Sequence, residues 1–180
     1  MKYEEKVKQV KHLYQGHILD LDLETVELPD GRLAKREIVK HQGAVAVIAI
    51  TPDNKMIFIR QWRSPLRKET LEIPAGKIEA NENSDPLKTA KREMNEETRY
   101  RAQNYELLST FYSSPGFSDE KMYLYHASEL TPVEEQLPQD EDEFLNVEAL
   151  SRSEINKAIK NGEICDAKTI MAVLFWQLME

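Results

Sequence analysis

Apolar and polar positions trade places along the first third of the chain, and the pattern is that of strands. Ile18, Leu19, Leu21, Leu23, Val26 and Leu28 are set among polar residues from Tyr14 onward. Pro29-Asp30-Gly31 carries turn chemistry, with Gly31 supplying the positive φ, and Leu33 to Val39 returns as the partner strand of a β-hairpin. The dozen residues ahead of this hairpin read as a short surface strand or helix. Gly43 to Thr51 is almost wholly apolar, as a strand buried on both faces would be. Pro52-Asp53-Asn54 turns it into a second core strand, Lys55 to Trp62. A polar loop, Ser64 to Lys68, and a short strand, Thr70 to Ile73, lead to Pro74-Ala75-Gly76. Tyr105 to Tyr112 and Met122 to Ala127 are two further strands, joined by a loop rich in turn formers. Glu129 to Asp142 is acidic and aperiodic. Phe144 to Leu150 resumes as a strand, and Ser151 or Ser153 caps a helix that runs through Ile159 and ends at Asn161-Gly162. Ala167 to Leu178 is a final amphipathic helix carrying Ile170, Val173, Leu174 and Leu178. Strands of this kind, alternating with helices, predict an α/β (α+β) fold with a mixed central sheet and helices packed against it.

The stretch from Gly76 to Tyr100 has a different period. Asp85 is placed to cap a helix, and Pro86 stands at its first position, where a missing N–H is harmless. Leu87, Ala90 and Met94 form an apolar stripe at helical spacing. Glu93, Glu96 and Glu97 lie close together on the helix surface and flank that stripe, where a solvated face would lie opposite it. Carboxylates turned towards the body of a domain need a cation. Magnesium suits them, because it takes a few carboxylate oxygens and leaves places for water and phosphate.

Composition narrows the setting. At 180 residues, 41% of them hydrophobic and 31% charged, the chain has enough apolar residues for one good core. A net charge of −8 argues against nucleic acid or an anionic membrane as a steady partner. It leaves room for a phosphorylated substrate, since a bound cation inverts the local sign. No apolar run approaches the ~20 residues of a membrane-spanning helix, and the charged N-terminus lacks the apolar core of a secretion signal. Cys165 is the single cysteine and is expected to be a quiet, partly buried thiol. These features predict a cytoplasmic protein.

Gly76, Glu82, Arg92-Glu93, Met94 and Glu96-Glu97 resemble the Nudix box, G-x5-E-x7-R-E-U-x-E-E-x-G-U with U apolar. Two positions depart from it. Nine residues instead of seven separate Glu82 from Arg92, which reads as a longer loop before the helix. Arg99 stands where the family has its last glycine, at a position that glycine normally holds in the left-handed conformation. By the resemblance, Glu93 and Glu97 are metal ligands together with the carbonyl of Ala75, just before Gly76. Glu96 is a ligand or an immediate supporter, and Arg92 orients the acids.

Four other stretches resemble the ADP-ribose pyrophosphatase branch of that family. Gln139 to Glu143 precedes a strand where similar enzymes keep a catalytic base and a metal-contacting acid. Aligned so, Glu141 is the base and Glu143 the metal contact, with the register open by one or two positions. Ser113-Ser114-Pro115-Gly116-Phe117 places Pro115 sixteen positions beyond Arg99, a spacing that marks the branch, and Glu120 ends that loop towards the substrate. Arg60-Gln61-Trp62-Arg63 resembles a stretch whose second arginine, here Arg63, grips the pyrophosphate, and Arg36-Glu37 resembles the segment that holds adenine. Trp62 and Phe117 are assigned to packing.

The resemblance runs from Tyr14-Gln15-Gly16 to Asp166-Ala167-Lys168-Thr169 and implies hydrolysis of ADP-ribose to AMP and ribose 5-phosphate. It implies two or three Mg²⁺ ions, with Mn²⁺ a possible substitute. It further implies a homodimer in which residues 1–42 form a hairpin extension reaching the neighbour's nucleotide site, and residues 43–180 the hydrolase domain. The alternatives are another nucleoside diphosphate derivative (an ADP-sugar, a dinucleotide or an oxidised nucleotide) or a non-catalytic nucleotide-binding regulator.

Overall fold

The computed structural model describes residues 2–79, 85–135, 137–138 and 144–179. The chain divides into two units, residues 1–43 with 111–122, and residues 44–110 with 123–180.

The first unit is an antiparallel sheet in the order β1 (Lys6–Gln15), β2 (Leu19–Glu27), β3 (Leu33–His41). The hairpin between β2 and β3 closes as its sequence predicts. Leu28 and Arg32 are joined by a 2.8 Å backbone hydrogen bond, and Gly31 sits at φ +86. The opening residues resolve into a strand: β1 pairs along β2 with two irregularities, and all ten of its side chains are exposed. The segment 111–122 joins this sheet through β3. Val39 donates to the Phe117 carbonyl at 2.7 Å, Asp119 donates back to the Val39 carbonyl, and the Asp119 carboxylate accepts from His41 N at 2.8 Å.

The second unit is α+β. Four strands run in the order β7 (Ala75–Lys77), β4 (Ala44–Ala49), β9 (Lys121–Pro132), β8 (Tyr100–Tyr112), the 111–122 ends of β8 and β9 being counted with the first unit. Three more run β10 (Leu145–Leu150), β5 (Met56–Arg63), β6 (Lys68–Glu72). Every residue of β4 is buried, as its continuous apolar sequence predicts. Helix α1 (Pro86–Thr98) packs on β4 and β7 and also touches β5 and β10, so it contacts both sheets. α2 (Arg152–Lys160) lies on β10 and α3 (Ala167–Leu178) on β4. Ala90 and Met94 of α1 enter the core among Val45, Val47, Ala49, Ile57 and Ala127, with Leu87 packed at its edge.

Several sequence expectations need correction. β9 continues to Pro132 and β8 begins at Tyr100, because backbone pairing carries both strands through polar residues. Helix α3 buries Thr169, Ala172, Val173 and Trp176, while Leu174 and Leu178 face out. Both sides of that helix are apolar, and the Asp166 cap and the 3.1 Å bond from Ile73 N to Thr169 Oγ1 fix which one turns inward. Cys165 is exposed. Trp62 and Phe117 are each 55% exposed, so neither packs inside.

Candidate active site

The helix that carries the acids is built as its sequence predicts. Asp85 accepts from Leu87 N at 3.1 Å, Pro86 occupies the first turn, and Arg99 ends the helix at φ 65 and ψ 23. That left-handed residue is unfavourable for a side chain by about 1 kcal/mol. Its N–H bonds the Asn95 carbonyl, its carbonyl accepts from Val133 N, and its Nη1 donates to the Leu137 carbonyl, all near 3 Å.

Glu93 and Glu97 are 8% and 2% exposed, so the helix does turn two of its three acids into the protein. Strand β7 meets them. Ala75 N donates to Glu97 Oε2 at 3.0 Å. Gly76 is the residue that lets Glu93 in: a Cβ there would stand 1.8 Å from Glu93 Oε1 and 2.0 Å from its Cδ. The glycine is required by close approach, with no unusual backbone angle involved. Arg92 Nη1 lies 2.9 Å from Glu93 Oε1 and donates to Glu96 Oε2 at 2.7 Å, while Nη2 donates to the Lys77 carbonyl at 3.3 Å. One guanidinium thus holds two of the acids and ties the helix to β7.

This donor set fits a divalent cation that takes only part of its shell from protein. Among the described residues no three acidic or imidazole groups gather into a ready-made cage. Magnesium does not ask for one, since it commonly binds through one or two carboxylates plus substrate phosphate and water. Two buried carboxylates in a glycine-lined cradle meet that requirement. Glu82, Glu141 and Glu143 lie outside the described residues.

Within electrostatic reach of Glu97 is a cation site that sequence reasoning saw only in half. Arg63, at the end of β5, gives Nε and Nη2 to the two oxygens of Glu72 at 2.7 and 2.6 Å. Glu72 is 2% exposed and also accepts from Thr70 Oγ1 at 2.6 Å and from Lys168 Nζ. Lys168 in turn donates to Asp166 Oδ1 at 2.9 Å. Burial alone would raise the Glu72 pKa, but the Arg63 hydrogen bond and the charges of Lys168 and Arg63 hold it down at about 2. The Arg63 pKa is raised by its bond to Glu72, with Glu97 and Asp166 adding to the attraction. Arg63 therefore feels the charge of a candidate metal ligand. The signal available beforehand for Glu72 was a lone acid between Leu71 and Ile73; for Lys168 it was only a place in the segment that closes the family resemblance.

The remaining candidates belong to the first unit. Arg36 forms a two-pronged ion pair with Glu5, through Nε at 2.9 Å and Nη2 at 2.5 Å, and Glu37 is exposed on β3. Pro115 and Gly116 are exposed in a turn closed by bonds from Phe117 N and Ser118 N to the Ser114 carbonyl. A Cβ on Gly116 would meet nothing, so neither space nor conformation demands glycine there. Glu120 accepts from Ser113 Oγ and lies 3.7 Å from His41 Nδ1.

Known proteins resemble the chain over most of its length. Residues 40–173 match the family described as NUDIX domain. The chain is 45% identical over 177 residues to the ADP-ribose pyrophosphatase of Bacillus subtilis, covering 98% of this chain and 95% of the relative. It is 46% identical over 178 residues to the methanol dehydrogenase activator of Bacillus methanolicus, covering 99% and 95%. An ADP-ribose pyrophosphatase of Mycobacterium tuberculosis is 30% identical over 90% of this chain and 78% of its own. A crystal structure of an ADP compounds hydrolase shares the fold with a TM-score of 0.84 at 20% identity, covering 98% of this chain and 94% of that one. With its box helix, its glycine cradle and a family match across most of its length, the chain belongs to the Nudix hydrolase family.

Proposed function

We propose that this protein hydrolyses the pyrophosphate bond of ADP-ribose, giving AMP and ribose 5-phosphate, with magnesium as its cofactor. The observation that carries the reading is 45% identity, over nearly the whole chain, to a protein named ADP-ribose pyrophosphatase. The buried acids of α1 agree with it. Glu93 and Glu97, the Ala75 carbonyl and Glu143 would hold two or three ions, Mg²⁺ or in its place Mn²⁺, with Glu96 supporting them. Bound metal would neutralise the diphosphate and make water acidic enough to act as a nucleophile at neutral pH. Arg92 holds Glu93 and Glu96 in place, and Arg63 binds and orients the diphosphate. Glu141 takes the proton from the attacking water; as the new P–O bond forms, the bridging oxygen leaves with the other phosphate. By the family resemblance Arg36 and Glu37 recognise adenine, and Pro115, Gly116 and Glu120 contact the substrate. A homodimer that presents the 1–42 hairpin to the neighbouring nucleotide site, and a cytoplasmic location, complete the reading.

The test is a panel of ADP-ribose, ADP-sugars, dinucleotides and oxidised nucleotides, assayed with Mg²⁺ and with Mn²⁺ and the products identified. ADP-ribose is expected to have the highest kcat/KM and to yield AMP. A better substrate elsewhere in the panel would overturn the substrate and leave the reaction class standing. A second reading rests on the 46% identity to a protein named methanol dehydrogenase activator: the same hydrolysis serves to stimulate a dehydrogenase. Adding the protein, and separately Glu97→Gln, to a methanol dehydrogenase assay distinguishes it. Stimulation by the wild type alone supports this second role.

A further inference from the structure

Arg63 is the cation that family resemblance picks out, but the structure gives it an unexpected companion. Glu72 is buried, and its two oxygens accept four hydrogen bonds: Oε1 from Arg63 Nε and Thr70 Oγ1, Oε2 from Arg63 Nη2 and Lys168 Nζ. One carboxylate therefore fixes two cations that lie 105 positions apart in sequence (168 − 63). The guanidinium is held along its Nε–Nη2 edge, and Nη1 makes no hydrogen bond among the described residues. The Arg63 side chain is 40% exposed and Lys168 16%, whereas Glu72 is 3%, so the anion is sealed behind its cations. With Asp166 counted, the group has two positive and two negative charges, and Arg63 is its most open member.

We propose that Glu72 is a positioning residue that locks Arg63 and Lys168 into a preformed pair, and that Lys168 is a second cation for the substrate diphosphate. The proposal rests on the reading of Arg63 as a diphosphate-binding residue. Arg63 presents Nη1 in a fixed plane, and Lys168 adds a point charge beside it. Fixing the pair in advance removes the loss of side-chain freedom from the binding step. The electrostatic reach between Arg63 and Glu97 puts Arg63 in the field of an acid on α1.

The experiment is a double-mutant cycle on the full chain, with Glu72→Gln, Arg63→Ala and the double variant, read as KM and kcat. Glu72→Gln is expected to raise KM about tenfold with kcat changed much less, as loss of uniform binding does. In the Arg63→Ala background the same substitution is expected to raise KM less than about twofold, because a positioning residue has nothing left to position. Equal effects of Glu72→Gln in both backgrounds would mean a merely structural role and overturn the proposal. Lys168→Met tests the second cation and keeps the test alive if Glu72→Gln fails to fold. It is expected to raise KM about fivefold, and an unchanged KM overturns the proposal. If the wild type hydrolyses nothing in the panel, the function proposed above fails by itself. The same variants are then titrated with inorganic pyrophosphate by calorimetry. Wild-type binding weakened alike by Glu72→Gln, Lys168→Met and Arg63→Ala supports the pair. Absent wild-type binding, or binding that all three variants retain, overturns it.

Discussion

Gly76 shows how much a single hydrogen atom decides at the residue scale. Its Cα faces the Glu93 carboxylate so closely that any Cβ would overlap it at 1.8 Å. The carboxylate is the far end of a long side chain, so Gly76→Ala should displace the acid and leave the strand alone. We expect the variant to keep its circular dichroism spectrum and lose about a hundredfold in kcat/KM. Glu97→Gln, an isosteric change at a 2% exposed position, should likewise fold and lose several orders of magnitude of magnesium-dependent turnover. Near wild-type hydrolysis of ADP-ribose by that variant would remove Glu97 from the metal site. Glu72 makes a different prediction, about pH. Its folded pKa of about 2 lies below the ordinary 4.5, so its contribution is complete above pH 4.5 and fades as pH falls towards 2. The shift corresponds to roughly 3 kcal/mol. Urea unfolding at pH 7 and pH 3 should therefore show the gap between wild type and Glu72→Gln narrowing at the lower pH.

At the scale of the element, α1 was readable because its signals are local. Asp85, Pro86 and the Leu87–Ala90–Met94 stripe are read within three or four residues of one another, and the structure returns a helix from Pro86 to Thr98. Asp85→Ala should lower stability by about 1 kcal/mol, measured by denaturant unfolding, through loss of the bond to Leu87 N. The inward turn of Glu93 and Glu97 was also legible, since it follows from angle alone. The buried face of α3 was not, because Ile170, Leu174 and Leu178 form as good an apolar row as Ala172, Val173 and Trp176. Periodicity fixes a helix; which side meets the body depends on a bond across ninety-six positions, from Ile73 N to Thr169 Oγ1. The Glu72 cluster was hidden for the same reason. Its acid sits on β6, one cation on β5 and the other on α3, and no spacing along the chain relates them.

The whole molecule adds long-range pairing that no local pattern contains. The loop 111–122 joins the N-terminal sheet by hydrogen bonds that link Phe117 and Asp119 with β3, across some seventy-eight residues. Sequence identified that loop by its proline and glycine, not by its neighbours. Among the described residues, no helix is long and apolar enough to cross a membrane. The proposed homodimer is checked by sedimentation at micromolar concentration, where a species of twice the 20.9 kDa chain mass is expected and a monomer would sink it.

β1 also has a consequence for motion. It is an edge strand whose ten side chains are all exposed, Val7, Val10, Leu13 and Tyr14 among them. Backbone hydrogen bonds backed by so little burial open without the rest of the fold. In dilute protein its amides should exchange with deuterated water far faster than those of β4, and their protection should rise with concentration if a second copy covers that face. Exchange in β1 thus becomes a gauge of assembly written into the first fifteen residues.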